Sequence, residues 1–141
     1  MHDVGKIAVP DAILLKSESL TDEEQKIMRN HPAVGYGIVN KIEFLSEAAE
    51  IVYAHHERFD GSGYPRGLKG EEIPLGARLF AVVDVYDALT STRSYHAPMS
   101  HEEALVEIKK ESGRHFDPNV VKVFLTTACG YKPEPQIIPS P

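Results

Sequence analysis

The chain has 141 residues, 42% of them apolar, which is one domain's worth with material for a single packed core. Its net charge of -6 excludes an extended basic face for a nucleic-acid polymer or an anionic membrane, so any anionic ligand must be held by local charge. No apolar run approaches the roughly 18 residues that span a bilayer, and Met1 is followed by His2-Asp3, not by a basic stretch and an apolar core, so a soluble, cytoplasmic protein is expected.

In chain order, residues 1–5 read as the last turn of a helix ending at Gly5, with Ile7-Ala8-Val9-Pro10 extended or turning because of the proline. Thr21-Asp22-Glu23-Glu24 has capping-box spacing for a helix that stops near His31, ahead of Pro32. Pro32 suits the first turn of a second helix running to about Lys41. Ser46 is a candidate cap for a third, with Ala48, Ile51, Val52 and His55 at helical spacing. Between Phe59 and Gly76 six glycines and prolines crowd a short interval: Gly61, Gly63, Pro65, Gly67, Gly70 and Pro74. That is a long loop, and loops of this length are uncommon unless they carry function. A helix from about Leu75 to Thr90 follows, apolar nearly all round apart from Arg78, Asp84 and Asp87, and is expected to be largely buried. Ser100-His101-Glu102-Glu103 opens a helix ending near Gly113, and Asp117-Pro118 opens a last one to about Ala128. With no strong alternating pattern the fold reads as all-α, one domain over residues 1–128, and the proline-rich tail 129–141 is read as disordered.

Chemistry enters with Asp84, set among Val82, Val83, Val85 and other apolar residues. A carboxylate taken out of water needs compensation, either a metal ion or a buried arginine and hydrogen bonds. His31, His55 and His56 fall at helix ends or beside the glycine-rich loop, and His2-Asp3 forms a second doublet. Neighbouring residues in a doublet diverge by about 100° along a helix, so one member can serve one ion while the other bridges or serves a second. The single cysteine, Cys129, rules out an intramolecular disulfide and a Cys-rich zinc site. Nitrogen and oxygen donors without thiolate favour Mn, Fe or a similar octahedral ion. Lys6 either points back at such a site or is an ordinary solvated lysine, and Arg93 is a candidate fork onto a phosphate.

These residues form a recognisable set. His2-Asp3-Val4-Gly5-Lys6 resembles the HD motif of the HD superfamily of metal-dependent phosphohydrolases, and His55-His56-Glu57-Arg58-Phe59-Asp60-Gly61-Ser62-Gly63-Tyr64-Pro65 resembles the element that names its HD-GYP subgroup. The likeness runs from His2 to about Leu125. It implies a helical bundle of the HD-domain type with two or three metal ions, usually iron or manganese, that hydrolyses the bacterial second messenger cyclic di-GMP to pGpG or GMP. By the resemblance His2, Asp3, His31, His55, His56 and Asp84 match metal ligands, and Lys6 matches the lysine near the scissile phosphate. Arg93 matches a phosphate-binding residue, and Asp60, Gly63, Tyr64 and Pro65 lie in the loop associated with substrate and, for the GYP triplet, with protein partners.

Two departures are visible. Ser94 replaces the usual proline between Arg93 and Tyr95, with His96 at the following basic position. The family's upstream helix, which adds Glu or His ligands, has no counterpart before Met1. The expectations are therefore a site that holds one ion well and a second poorly, and a homo-oligomer formed through apolar surface left bare. A catalytically impaired signalling or binding module, or a hydrolase of another nucleotide, is the alternative.

Overall fold

Both capping boxes foreseen in the sequence are formed. The computed structural model describes residues 1–92 and 97–128. A short helix α1 (Asp11–Leu14) leads to α2 (Asp22–Met28), where the Thr21 hydroxyl accepts from the Glu24 N–H and the Glu24 carboxylate accepts from the Thr21 N–H. After α3 (His31–Val39) and α4 (Ser46–Ala54), the long helix α5 (Leu75–Thr90) crosses the molecule. Ser100 and Glu103 repeat the reciprocal cap on α6 (His101–Lys110), and Asp117 accepts from the Asn119 N–H at the start of α7 (Pro118–Ala128). Among the described residues there is no strand, and no helix is long and apolar enough to cross a membrane. The expected tail, 129–141, and Arg93 lie outside the described residues.

Local expectations fail in three places. Gly5 does not end a helix but lies inside a 3-10 turn, Val4–Ala8. A Cβ on Gly5 would stand 1.9 Å from the His31 carbonyl oxygen and 2.6 Å from the Gly35 nitrogen, so the glycine is there to let two backbones touch. Ser46 makes no cap hydrogen bond, because a 3-10 turn at Glu43–Leu45 already feeds the chain into α4. Helix α5 is not buried all round: Ala77, Ala81 and Val82 face the interior, while Leu75, Leu79 and Val83 are exposed.

The core has two main parts. Val39, Ala49 and Val52 join α3 to α4, with Val4 and Tyr36 against them. Ala81, Val82, Ile108, Phe116, Val120 and Val121 join α5, α6 and α7. Arg78 on α5 ties this half together by donating to the Ile73 carbonyl and to the buried Asp117 carboxylate, at 2.9 and 2.5 Å. Because the Val4–Ala8 turn lies across α3, and α3 lies along α4, three separate chain segments converge at the His31 end of α3.

The long loop is organised around one acid. Glu57 is 2% exposed, and its two carboxylate oxygens accept from the backbone N–H groups of Arg66 and Leu68, at 2.7 and 3.0 Å. Phe59 and Asp60 donate backbone N–H groups to the carbonyls of His115 and Arg114, which pins the loop's entry to the segment before α7.

Candidate metal centre

His31 opens α3, His55 caps the end of α4 and His56 follows it, while Asp3 precedes the Val4–Ala8 turn. These four residues bring one ligand atom each to within 4.8 Å of all the others. The His31 and His55 Nε2 atoms are 3.3 Å apart, His56 Nε2 is 3.2 Å from His31 Nε2, and Asp3 Oδ1 stands 3.5 Å from His31 and 4.0 Å from His55.

The tautomers of two rings follow from their surroundings. His31 Nδ1 lies 2.7 Å from the Met28 carbonyl oxygen and His55 Nδ1 lies 2.6 Å from that of Val52. A carbonyl only accepts, so each Nδ1 carries the proton and each Nε2 of the neutral ring presents a lone pair. Two lone pairs facing each other at 3.3 Å have no hydrogen to share, and a cation between them resolves the contact.

Two rings of the cluster resist protonation. Burial lowers the His55 pKa, with His31 and His2 adding to the effect against the Val52 carbonyl and Asp3. Burial also pulls His56 down to about 3, with His55 and His31 contributing. Burial alone would raise the Asp3 carboxyl, but the Lys6 hydrogen bond and the Lys6, His2 and His31 charges outweigh it and hold the group below its ordinary value. Neutral imidazoles beside an ionised carboxylate are the ligand states of a divalent metal site.

Three other sequence candidates border this cluster: Lys6, His2 and Asp84. Lys6 Nζ donates to Asp3 Oδ2 at 2.8 Å, so it does point back at the site. His2 Nε2 is 3.4 Å from that same oxygen and 3.9 Å from Asp84 Oδ1. The two Asp3 oxygens thus face different neighbours. Asp84 is not the deeply buried carboxylate expected from its apolar neighbours: its side chain is 40% exposed, because it lies on the side of α5 turned toward His2 and not on the Ala81–Val82 side. Desolvation is therefore not what marks it. Tyr64 stacks on His56, ring centroids 4.8 Å apart and planes 23° from parallel, and its N–H donates to the His56 carbonyl. Gly63 sits so close to the doublet that a Cβ would lie 2.3 Å from the Arg58 nitrogen and 2.6 Å from the His56 oxygen. Pro65 is exposed beyond Tyr64. Asp60 takes no part in the four-donor cluster: its Oδ1 accepts from the Ser62 N–H and hydroxyl, which shape the loop and lower its pKa.

Glu57 is the residue that sequence reading passed over. Placed after two histidines it looked like part of a motif, yet a loop this rich in glycine needs an internal acceptor for its backbone N–H groups, and the one carboxylate next to the doublet supplies it.

An HD-domain family model matches residues 1–120, and the chain belongs to that family. It is 52% identical over 133 residues to a probable cyclic di-GMP phosphodiesterase of Vibrio cholerae, covering 89% of this chain and 30% of that protein. It is 49% identical over 127 residues to a cyclic di-GMP phosphodiesterase of Thermotoga maritima, covering 89% of this chain and 34% of the relative. The HD-GYP resemblance stands on these relatives. The chain spans about a third of the length of the relatives it matches. A crystal structure of a cyclic GMP-AMP specific phosphodiesterase of V. cholerae superposes with a TM-score of 0.62 at 23% identity, over 87% of this chain and 32% of that one, which bears out the all-α HD-domain fold.

Proposed function

We propose that the chain is a metal-dependent phosphodiesterase that cleaves cyclic di-GMP to pGpG or GMP, with iron or manganese at the cluster. The observation that carries this reading is the facing Nε2 pair of His31 and His55 beside His56 and the ionised Asp3, a donor set that suits a divalent cation. The relatives named as cyclic di-GMP phosphodiesterases match over most of this chain, which supports the substrate.

The distances around the cluster support a division of roles. Asp3, His31, His55 and His56 would hold one ion, and His2 and Asp84 would offer donors for a second. Such ions supply Lewis-acid activation of water and of the phosphoryl group. Lys6, held at Asp3, turns its ammonium toward the phosphoryl or leaving oxygen and stabilises the charge that develops there. Asp3 keeps that lysine aligned and so acts in the chemistry as well as in binding. Asp60, Gly63, Tyr64 and Pro65 are the loop residues proposed to meet the substrate, with Arg93, outside the described residues, proposed for its phosphate; the Gly63-Tyr64-Pro65 triplet is proposed as the contact for a protein partner.

The test combines elemental analysis of the purified chain with turnover of cyclic di-GMP, 3'3'-cGAMP and cyclic di-AMP. Metal in stoichiometric amount with cyclic di-GMP cleaved fastest is expected. Full loading with nucleotide bound and none cleaved ends the catalytic reading and leaves a binding module; a different preferred dinucleotide ends the assignment of substrate.

A further inference from the structure

Arg29 is the described arginine without a carboxylate. Arg58 pairs with Glu111, Arg66 with Glu50, Arg78 with Asp117 and Arg114 with Glu111, at 3.2, 3.2, 2.5 and 3.6 Å. Arg29 is at the C-terminal cap of α2, two residues before His31, and it forms no ion pair among the described residues. Its guanidinium instead rests over the Tyr64 ring, 5.2 Å from the centroid, and Tyr64 in turn stacks on His56. Burial raises the Tyr64 phenol, with Arg29 acting to lower it and Asp3 to raise it. Stacking on a ring leaves the N–H edges of a guanidinium free to fork onto an anion. In a chain of net charge -6, an exposed, unneutralised arginine at the rim of a metal site is a rare local source of positive charge.

We propose that Arg29, steadied on Tyr64, binds the phosphodiester of the cyclic dinucleotide that is not being cleaved. The inference rests on the phosphodiesterase reading above. A cyclic dinucleotide carries two phosphodiesters on one ring; the cleaved one is met by the metal donors and Lys6, and the other needs a cation displaced from them. The ring that carries Arg29 is the one stacked on His56, which ties the guanidinium to the neighbourhood of the donor cluster.

The experiment uses the whole chain loaded with Mn2+, in wild-type form and as Arg29→Gln and Arg29→Lys. Steady-state kinetics and calorimetric binding are measured with cyclic di-GMP, cyclic di-AMP and 3'3'-cGAMP, and hydrolysis with bis(p-nitrophenyl) phosphate, which has one phosphodiester and no base. The expected result for Arg29→Gln is a KM and Kd raised about tenfold or more for all three dinucleotides, the range of a lost charged hydrogen bond. Its kcat stays within about twofold, Arg29→Lys recovers part of the loss, and the one-phosphate substrate is unaffected. Unchanged binding overturns the proposal, as does an equal loss on bis(p-nitrophenyl) phosphate, which marks a structural effect. A loss confined to guanine-bearing dinucleotides overturns it in favour of base recognition. If the wild type binds dinucleotides without cleaving them, the catalytic reading fails while the Kd values still decide Arg29; if it binds none, both fail.

Discussion

His31 and His55 aim their Nε2 lone pairs at each other across 3.3 Å, each ring fixed by a carbonyl three residues back in its own chain segment. The arrangement is costly when empty of charge and favourable around a cation. His55→Gln is therefore expected to weaken Mn2+ binding by roughly 100-fold or more while changing metal-free stability by less than about 1 kcal/mol. Wild-type protein at 100 times the metal Kd gains about 2.7 kcal/mol, and the variant loses most of that gain. Denaturant unfolding with EDTA and with Mn2+ measures both quantities, and equal destabilisation in the two buffers would contradict the assignment.

Gly5→Ala should cost about 3 kcal/mol or more, since its Cβ meets backbone and not a flexible side chain. The displaced turn carries Asp3 and Lys6 with it, so metal affinity falls together with stability. A thermal shift that leaves metal binding intact would show that the turn adapts.

Glu57→Ala leaves two loop N–H groups without their acceptor and is expected to destabilise by about 2–4 kcal/mol. Glu57→Gln keeps one good acceptor and falls between. Limited proteolysis reports the difference directly, with cleavage between Phe59 and Pro74 faster in the order wild type, Gln, Ala.

Acid should unfold the metal-free protein early. His55 and His56 are lowered by burial, His56 to about 3, so below the ordinary histidine value of 6.5 the folded state binds fewer protons than the unfolded one. Stability then rises with pH across that window and levels off above it. The lowered Asp3 acts in the same sense at the acid end, its contribution lost as pH falls through its folded value. The urea midpoint in EDTA is expected to drop from pH 7 to pH 5, and His56→Gln to flatten part of the slope; a midpoint independent of pH in the wild type would count against the buried neutral rings.

Much of the framework was legible because it is written in short-range chemistry. Thr21 with Glu24, Ser100 with Glu103, and the prolines at 32 and 118 act on their own turn of chain, so helix starts could be read without knowing the fold. The doublets were legible for another reason: adjacent His-His and His-Asp are chemically conspicuous. Gly5 was misread because its partner is the His31 carbonyl, a contact made only when the turn lies across α3. Asp84 was misread because hydrophobic neighbours in sequence do not say which side of α5 meets the core. Glu57 carried no signal apart from its motif, since the N–H groups it receives lie nine and eleven residues on.

The four clustered donors also have a topological meaning. Asp3 belongs to a turn, His31 begins α3, and His55 and His56 finish α4, so a shared ion links three stretches that the chain otherwise joins only through packing. A bound ion would act as a clip that holds these stretches together in the folded state and raises the cost of separating them. The Val4–Ala8 backbone should then exchange its amide hydrogens more slowly as the ion is titrated in.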